Sequence, residues 1–389
     1  MPVPRKHLVI VTNTVGWGGT EVLVWRASQR ATARGHRVTI VQAGHNVYGA
    51  RGMLGSGVES VNVPGAFGSS SARTWYRLLR GLAPDTIVLF KGGIDVRALT
   101  FDLACVALRT RYVTVEAHLP PLLVPLPHRR TLRGWIGVRV RFARTRAAAW
   151  LHSRAPTHIV APSVVIRDRL VTQYGFRPDI VVIPIGIDAK VFSPSESLRL
   201  AQREAWDIDA HDVVMGAVGR IDAVKRLDWA VRALASHVNS GNQPPVWLVL
   251  GGEGKERESL TALARRLDVA ERVKFLGWVP SSSDVIASLD IFVLPSETEG
   301  FGIALIESMS TGCVCVATDS GGPREILTDT SLGWLVPRDD EQAFAAAVEK
   351  AIAMSPLERA RMGNNARASV LDRFDQERLD DQLLDEILG

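Results

Sequence analysis

Eleven short apolar runs, each separated from the next by a longer segment, limit what this chain can fold into more than any other feature. They read HLVIVT, RVTIV, DTIVLF, RYVTVE, THIVAP and DIVVIP in the first half, then DVVMGAVG, VWLVLG, RVKFLG, DIFVLP and CVCVAT in the second. A run that is apolar at consecutive positions buries both of its faces, which is the pattern of an interior parallel strand. Parallel neighbours need crossover connections. Segments such as TEVLVWRASQRATARG and KRLDWAVRALASHVNSG supply them, because both are amphipathic and both end on a glycine able to close a helix. The alternation predicts α/β sheets covered by helices on both faces. With 389 residues, 46% of them hydrophobic, the chain can fill two cores rather than one.

The pattern is interrupted once, at IPIGIDAKVFSPSESLRL, where Pro184, Gly186, Pro194 and several serines break it. A linker is expected over 186–205, with a first domain over 1–190, a second over 191–370 and a C-terminal helix over 371–389 that returns to the first domain. Each half opens on a strand followed by a glycine turn, VTNTVGWGG and VGRIDAVKR, so two Rossmann-like lobes facing a central cleft are implied. The tail ARASVLDRFDQERLDDQLLDEIL reads as one long acidic helix, with Val370, Leu371, Phe374, Leu379, Leu383, Leu384 and Ile387 on its apolar face.

Charge separates the halves. Residues 1–185 carry 25 Lys+Arg against 8 Asp+Glu, a net +17, and the remainder is −12, which together make the chain's +5. Residues 129–154 hold eight arginines and no acid, with Trp135, Ile136, Val140, Phe142 and Trp150 interspersed. Two readings fit this segment: a basic amphipathic helix lying on an anionic membrane, or a helix packed against the acidic second lobe or tail. Nucleic acid is not an expected partner, because no binding motif accompanies the charge. The opening apolar run is too short for a signal peptide or a membrane span, so a cytoplasmic protein is expected, with peripheral contact at the inner face of the membrane as an option. Cys105, Cys313 and Cys315 are expected as buried core thiols, since the CVCV spacing sends its two side chains to opposite faces.

The stretch ETEGFGIALIE places Glu299 and Glu307 around a glycine bend between the strand DIFVLP and a helix starting near Gly302. That loop lies at a strand's carboxyl end, where ligands bind in open α/β sheets, and a helix N-terminus favours phosphate. Carboxylates beside phosphate would repel it, so each is better suited to accept hydrogen bonds from hydroxyls. A sugar nucleotide carries hydroxyls on both sides of a diphosphate. The bland alternative leaves both acids solvated.

The segment resembles the E-x7-E motif of retaining GT-B glycosyltransferases, especially glycosyltransferase family four. GWGGTE, VEAHLP, APS, VIPIGIDAKVF and GRIDAVKRLD resemble further segments of that family in the same order, over nearly the whole chain. Two neighbours depart from the family pattern: Ile185 stands where asparagine is usual, and Arg226 where glycine follows the lysine. The resemblance implies a GT-B fold and transfer of a hexosyl or N-acetylhexosaminyl group from a nucleotide-diphosphate sugar, with a UDP sugar expected, to a sugar, lipid-linked or small-molecule hydroxyl. It implies no metal and no other cofactor.

By the same resemblance, Arg220 and Lys225 grip the diphosphate, and His118 faces the transferred sugar and β-phosphate. Glu299 holds sugar hydroxyls and Glu307 the ribose. Gly18 and Gly19 let the first-domain loop approach the donor, as do the amides of Phe301, Gly302 and Ile303. Gly277, Trp278 and Val279 lie along the base. A cation at a helix start is poorly placed unless an anion binds there, which favours a functional role for Lys225. Alone, a basic pair would be a solvated surface, a single histidine structural, GWGG a plain turn and Trp278 a packing residue. The competing function is a sugar-nucleotide-binding protein of the same fold without transfer activity. A nicotinamide-dependent oxidoreductase fits less well, since GWGGTE does not supply G-x-G-x-x-G.

Overall fold

The structure, a computed structural model, describes residues 5–12, 19–43, 57–63, 70–91, 98–120 and 132–389, with the backbone alone over 132–141. The chain divides into two compact units, Met1–Pro184 with Arg378–Gly389, and Ile185–Glu377.

In the first unit the order is β1 (His7–Thr12), α1 (Gly19–Ala33), β2 (Arg37–Ala43), β3 (Val58–Val63), α2 (Ala72–Leu82), β4 (Thr86–Lys91), α3 (Leu99–Leu108), β5 (Arg111–Glu116), α4 (Leu132–His152), β6 (His158–Ala161), α5 (Val164–Tyr174) and β7 (Ile180–Val182). The seven strands form one sheet in the order β3-β2-β1-β4-β5-β6-β7, and every pair is parallel. Reversal of strand order between β1 and β4 opens a crevice at the carboxyl edge, the usual ligand position of a doubly wound sheet. β3, absent from the apolar runs, is an edge strand with only Val63 buried and Glu59, Ser60 and Asn62 exposed, so VESVNV has no need of continuous apolarity.

The second unit runs α6 (Glu196–Ala205), β8 (Val213–Val218), α7 (Leu227–Asn239), β9 (Val246–Gly251), α8 (Arg257–Arg266), β10 (Val273–Gly277), α9 (Ser282–Ile286), β11 (Ile291–Leu294), α10 (Ile303–Ser310), β12 (Val314–Thr318), α11 (Pro323–Ile326), β13 (Trp334–Val336), α12 (Glu341–Ala353) and α13 (Pro356–Arg373), and is followed by α14 (Gln376–Leu388), which belongs to the first unit from Arg378 onward. Its parallel sheet has the order β10-β9-β8-β11-β12-β13, with the reversal between β8 and β11. β13 is only three residues long, too short to show a period. Cys313 and Cys315 are buried and free, as is Cys105 in the first unit. Burial raises the Cys313 thiol to about 12, which keeps it protonated and inert.

Two local expectations need correction. The proposed linker over 186–205 is helical in its second half, because Ser195 caps α6 by accepting from the Leu198 amide. The tail is two helices. The chain breaks at Phe374, whose ring turns inward to meet Phe301 edge-on at 5.7 Å and whose carbonyl accepts from the Ile187 amide at 2.8 Å. Leu371, assigned to the apolar face of a single helix, lies off the buried face of α13 formed by Gly363, Ala366 and Val370 and is 44% exposed.

From Arg378 onward α14 packs with the first unit, burying Leu379, Leu383, Leu384, Ile387 and Leu388, each contributing about 2 kcal/mol. Its acids meet arginines one turn apart on α1 and just past its end. Asp380 takes a two-bond fork from Arg26, at 2.6 and 2.9 Å, in a pair 12% and 8% exposed. Asp381 takes Arg30 and Arg34, and Asp385 takes Arg34. At the helix C-terminus Arg111 donates to the carbonyls of Glu386 and Ile387, and Lys6 to that of Leu388. Cations there satisfy carbonyls that no helical amide reaches and oppose the helix dipole. These acids of the tail are thus matched to α1.

Candidate functional site

The second unit brings three loops together at the carboxyl ends of β8, β9 and β10. Gly219, at φ 141°, follows β8 and donates to the Gly251 carbonyl at 2.9 Å. Gly252 donates to the Gly277 carbonyl at 2.7 Å, and a β-carbon on Gly252 would lie 1.8 Å from the Gly219 oxygen. Gly254 is equally constrained, its β-carbon position being 2.1 Å from the Ile221 oxygen. Close backbone contact therefore requires Gly252 and Gly254 of GGEG, which the motif reading had not singled out although a glycine cluster after an apolar run was visible. The loops border a pocket lined by Gly219, Arg220, Ile221, Lys225, Gly251 and Leu294.

Lys225 ends a 3-10 turn over Ala223–Lys225, separated from α7 by Arg226 alone. Its ammonium donates to Glu299 Oε2 at 2.6 Å, and the Glu297 amide bonds the Val224 carbonyl at 2.8 Å, so the two loops are joined by side chain and backbone. This explains how a cation is accommodated at a helix start: a carboxylate from a distant loop supplies the anion. Arg226 has φ 47°, a left-handed conformation that glycine adopts without steric cost, so the arginine at this departure from the expected pattern is tolerated only by being held in place. Here Arg226 is held by donating to the Arg338 carbonyl at 2.7 Å and by lying over the Trp229 ring. Arg220 is 68% exposed at the pocket rim, paired with Asp222 at 2.7 Å. It remains able to turn toward an anion.

Glu299 is anchored from both sides. Its amide donates to the Ser320 carbonyl and its carbonyl accepts from Gly322, which fixes the loop to the segment before α11. Gly322 is required because a β-carbon would fall 2.2 Å from the Phe301 oxygen. The Phe301 side chain is buried, so this residue can offer a ligand only its backbone. Gly302 adopts φ 110° as the N-terminal cap of α10, and Ile303 begins the helix. Glu307 lies within α10, half-buried, with no hydrogen-bonded or ionic partner for its carboxylate among the described residues. Burial raises its carboxyl from the usual range to about 7. It differs from Glu299, which is already paired with Lys225.

Gly277 has φ 71°, Trp278 beside it is 58% exposed, and Val279 is half-buried next to Gly251. The Trp278 indole is thus a surface group at the rim of the loops rather than a core residue.

In the first unit His118 lies two residues beyond β5, exposed, with Nδ1 3.2 Å from the hydroxyl of Thr20 on α1. Thr20 itself is buried, and its hydroxyl orients the ring from a position that no motif reading had identified. Gly19 opens α1, whereas Gly18 and residues 129–131 lie outside the described residues. The side chains of Arg144, Arg146, Trp150, Leu151 and Arg154 are exposed at the end of α4 and just after it, with the Arg154 guanidinium 3.6 Å from the Trp150 ring centre.

Comparison with known proteins agrees with this geometry. Residues 17–191 match the family model of Glycosyltransferase Family 4, and residues 199–369 match that of Glycosyl transferases group 1. The lipopolysaccharide core biosynthesis glycosyltransferase LpsE of Rhizobium meliloti is 31% identical over 50% of this chain and 55% of its own length. A D-inositol 3-phosphate glycosyltransferase of Kribbella flavida is 34% identical over 51% of this chain and 48% of its own. The matched stretch thus spans about half the length of these relatives. In structure, Anabaena Alr3699/HepE in complex with UDP and glucose superposes with a TM-score of 0.80 at 19% identity, over 98% of this chain and 99% of that one, which establishes the GT-B fold. Both halves are matched in order, and the second match spans the loops that carry Arg220, Lys225, Glu299 and Glu307, so the chain belongs to glycosyltransferase family four.

Proposed function

We propose that this protein transfers a hexosyl or N-acetylhexosaminyl group, with retention, from a nucleotide-diphosphate sugar to an acceptor hydroxyl. The observation that carries the reading is the Lys225–Glu299 pair at the strand ends of the second unit, with Arg220 at the same pocket and Glu307 unpaired nearby in sequence. Cations there suit a diphosphate. Carboxylates in the adjoining loop and helix suit the hydroxyls of sugar and ribose. The amides of Phe301, Gly302 and Ile303 precede or open a helix and favour the same anion. UDP is the favoured carrier because a structure of like fold holds UDP and glucose.

In this reading the bond from the anomeric carbon to the phosphate oxygen breaks as the acceptor oxygen attacks from the same face, and the acceptor's proton passes to the departing phosphate oxygen. Negative charge grows on the diphosphate as it leaves. Arg220 and Lys225 stabilise that charge more than the ground state, which is how they accelerate the step. His118, steadied by Thr20, donates toward the transferred sugar or β-phosphate. Neutralisation is assigned to these side chains rather than to a metal, so added chelator should leave turnover unchanged.

The segment over 129–154 is proposed to contact an anionic membrane peripherally. Exposed Trp150 and Leu151 beside exposed Arg144, Arg146 and Arg154 support it, and Asp380, Asp381 and Asp385 of the tail are already engaged by Arg26, Arg30 and Arg34. Among the described residues no helix is long and apolar enough to cross a membrane. Co-sedimentation that did not depend on anionic lipid would remove this part of the proposal.

The decisive experiment is a panel of UDP, GDP, ADP and TDP sugars, read by release of the nucleoside diphosphate, followed by an acceptor search with the best donor. Tight binding of a donor with no transfer to any acceptor and no hydrolysis would favour the non-catalytic alternative.

A further inference from the structure

Four ionisable side chains of the first unit, Lys91, Asp102, Glu116 and His152, are each at most 3% exposed and form one cluster. His152 is the last residue of α4. Its Nδ1 lies 2.7 Å from Asp102 Oδ2 on α3, and its Nε2 lies 3.2 Å from Glu116 Oε1 at the end of β5. Glu116 in turn lies 3.8 Å from the ammonium of Lys91, its register partner at the end of β4. Tyr112 on β5 donates its hydroxyl to the other oxygen of Asp102 at 2.8 Å, Cys105 is buried on α3, and the Phe176 ring packs edge-on against His152.

A neutral imidazole has one N–H and one lone pair, so either tautomer would point a lone pair at a carboxylate. Only the imidazolium donates to both. Charge balance leads to the same state: protonated His152 with Lys91 offsets Asp102 and Glu116, whereas a neutral ring leaves an uncompensated buried negative charge. Burial and the nearby Lys91 act against the charged ring, yet the bonds to Asp102 and Glu116 outweigh them and the proton affinity of His152 is raised. Glu116, despite burial, is held below the usual carboxylate range by Lys91 and His152.

Glu116, a member of the cluster, ends β5 two residues before His118. After Glu116 comes Ala117, whose amide makes a 3.3 Å bond to the Lys91 carbonyl, and then His118. We propose that His152 is a positioning residue, held as an imidazolium, whose two hydrogen bonds fix the end of β5 from which His118 extends. The functional part rests on the proposed role of His118. Since folding raises the proton affinity of His152, the clamp is complete below the free imidazole value of about 6.5 and is lost as pH rises through the folded value.

Nitrogen-15 histidine spectra of the full chain, with His152→Gln to assign the resonance, test the charge state. Both ring nitrogens are expected to be protonated at pH 7, and exchange of the Ala117 amide should accelerate about tenfold as the ring titrates. With the donor selected by the panel, kcat should fall about tenfold over the same pH range while KM holds. His152→Gln, which can donate from one end only, should have that low kcat already at pH 6.5 and show no further fall. A neutral ring at pH 7, Ala117 exchange that ignores the titration, or a Gln variant with the parent's pH profile overturns the proposal. If no sugar nucleotide turns over, the reading of the protein as a transferase fails, while ring charge and Ala117 exchange still decide the clamp without a substrate.

Discussion

Removing the Lys225–Glu299 pair separates its structural role from its proposed chemical one. The atoms are 2.6 Å apart and the side chains 24% and 18% exposed, so the interaction lies between a surface pair and a buried one. At an effective dielectric of about 20 the gross attraction is several kcal/mol, and after solvation losses roughly 1–2 kcal/mol of stability remains. Lys225→Met should cost that amount, because it leaves Glu299 without its cation, and Glu299→Gln should cost a similar amount. In the double variant the losses should be less than additive by about 1 kcal/mol, since each single change already removes the same interaction. Turnover should behave differently. Loss of one cation from the leaving diphosphate is expected to lower kcat on the order of 100-fold, about 2.7 kcal/mol, and the double variant should recover none of it. Urea unfolding and nucleoside diphosphate release measure the two quantities on the same four proteins. Turnover of Lys225→Met within threefold of the parent, or recovery in the double variant, would refute the reasoning.

Glu307→Gln should raise the melting temperature of the ligand-free protein by about 3 °C at pH 8, where the folded parent must ionise a carboxyl that burial holds up at about 7, and by less at pH 5, where only the unfolded chain ionises; the difference should vanish as pH falls below the unfolded value of about 4.5. The same change should weaken donor binding about tenfold by calorimetry, because a carboxylate accepts hydroxyl hydrogen bonds more strongly than an amide. Gly252→Ala places a β-carbon 1.8 Å from the Gly219 oxygen and should cost roughly 3 kcal/mol or more while displacing Arg220, seen as loss of both melting temperature and donor affinity. Arg26→Met strands Asp380, a carboxylate that burial already pushes upward against the pull of Arg26, and should cost about 3 kcal/mol in urea unfolding. Arg34→Met, at an exposed pair, should cost under about 1 kcal/mol.

Much of the fold was legible because the sheets bury both faces of their inner strands. Val9, Val88 and Leu248 must be apolar whatever their neighbours, so continuous runs mark interior strands directly. The edge strands β3 and β13 escaped for the converse reason, one having a single buried residue, Val63, and the other being too short to show a period. The tail misled because its apolar spacing continues through the break. Phe374 leaves the helix to meet Phe301, 73 positions earlier in the chain, and periodicity carries no information about that partner. At the site, the motif segments marked Arg220, Lys225, Glu299 and Glu307, but they did not reveal that one acid is neutralised by a lysine while the other is unpaired.

By itself, the order of residues determined two parallel-stranded units and put the motif residues at strand ends, since both follow from which positions along a local segment must be dry. Tertiary structure alone decided which distant groups meet: Lys225 with Glu299, Arg26 with Asp380, Gly252 with Gly219, and His152 between two carboxylates. Such pairings depend on strand order and on how closely backbones approach. A burial pattern read along the chain is blind to both, because it records whether a side chain is covered and not what covers it.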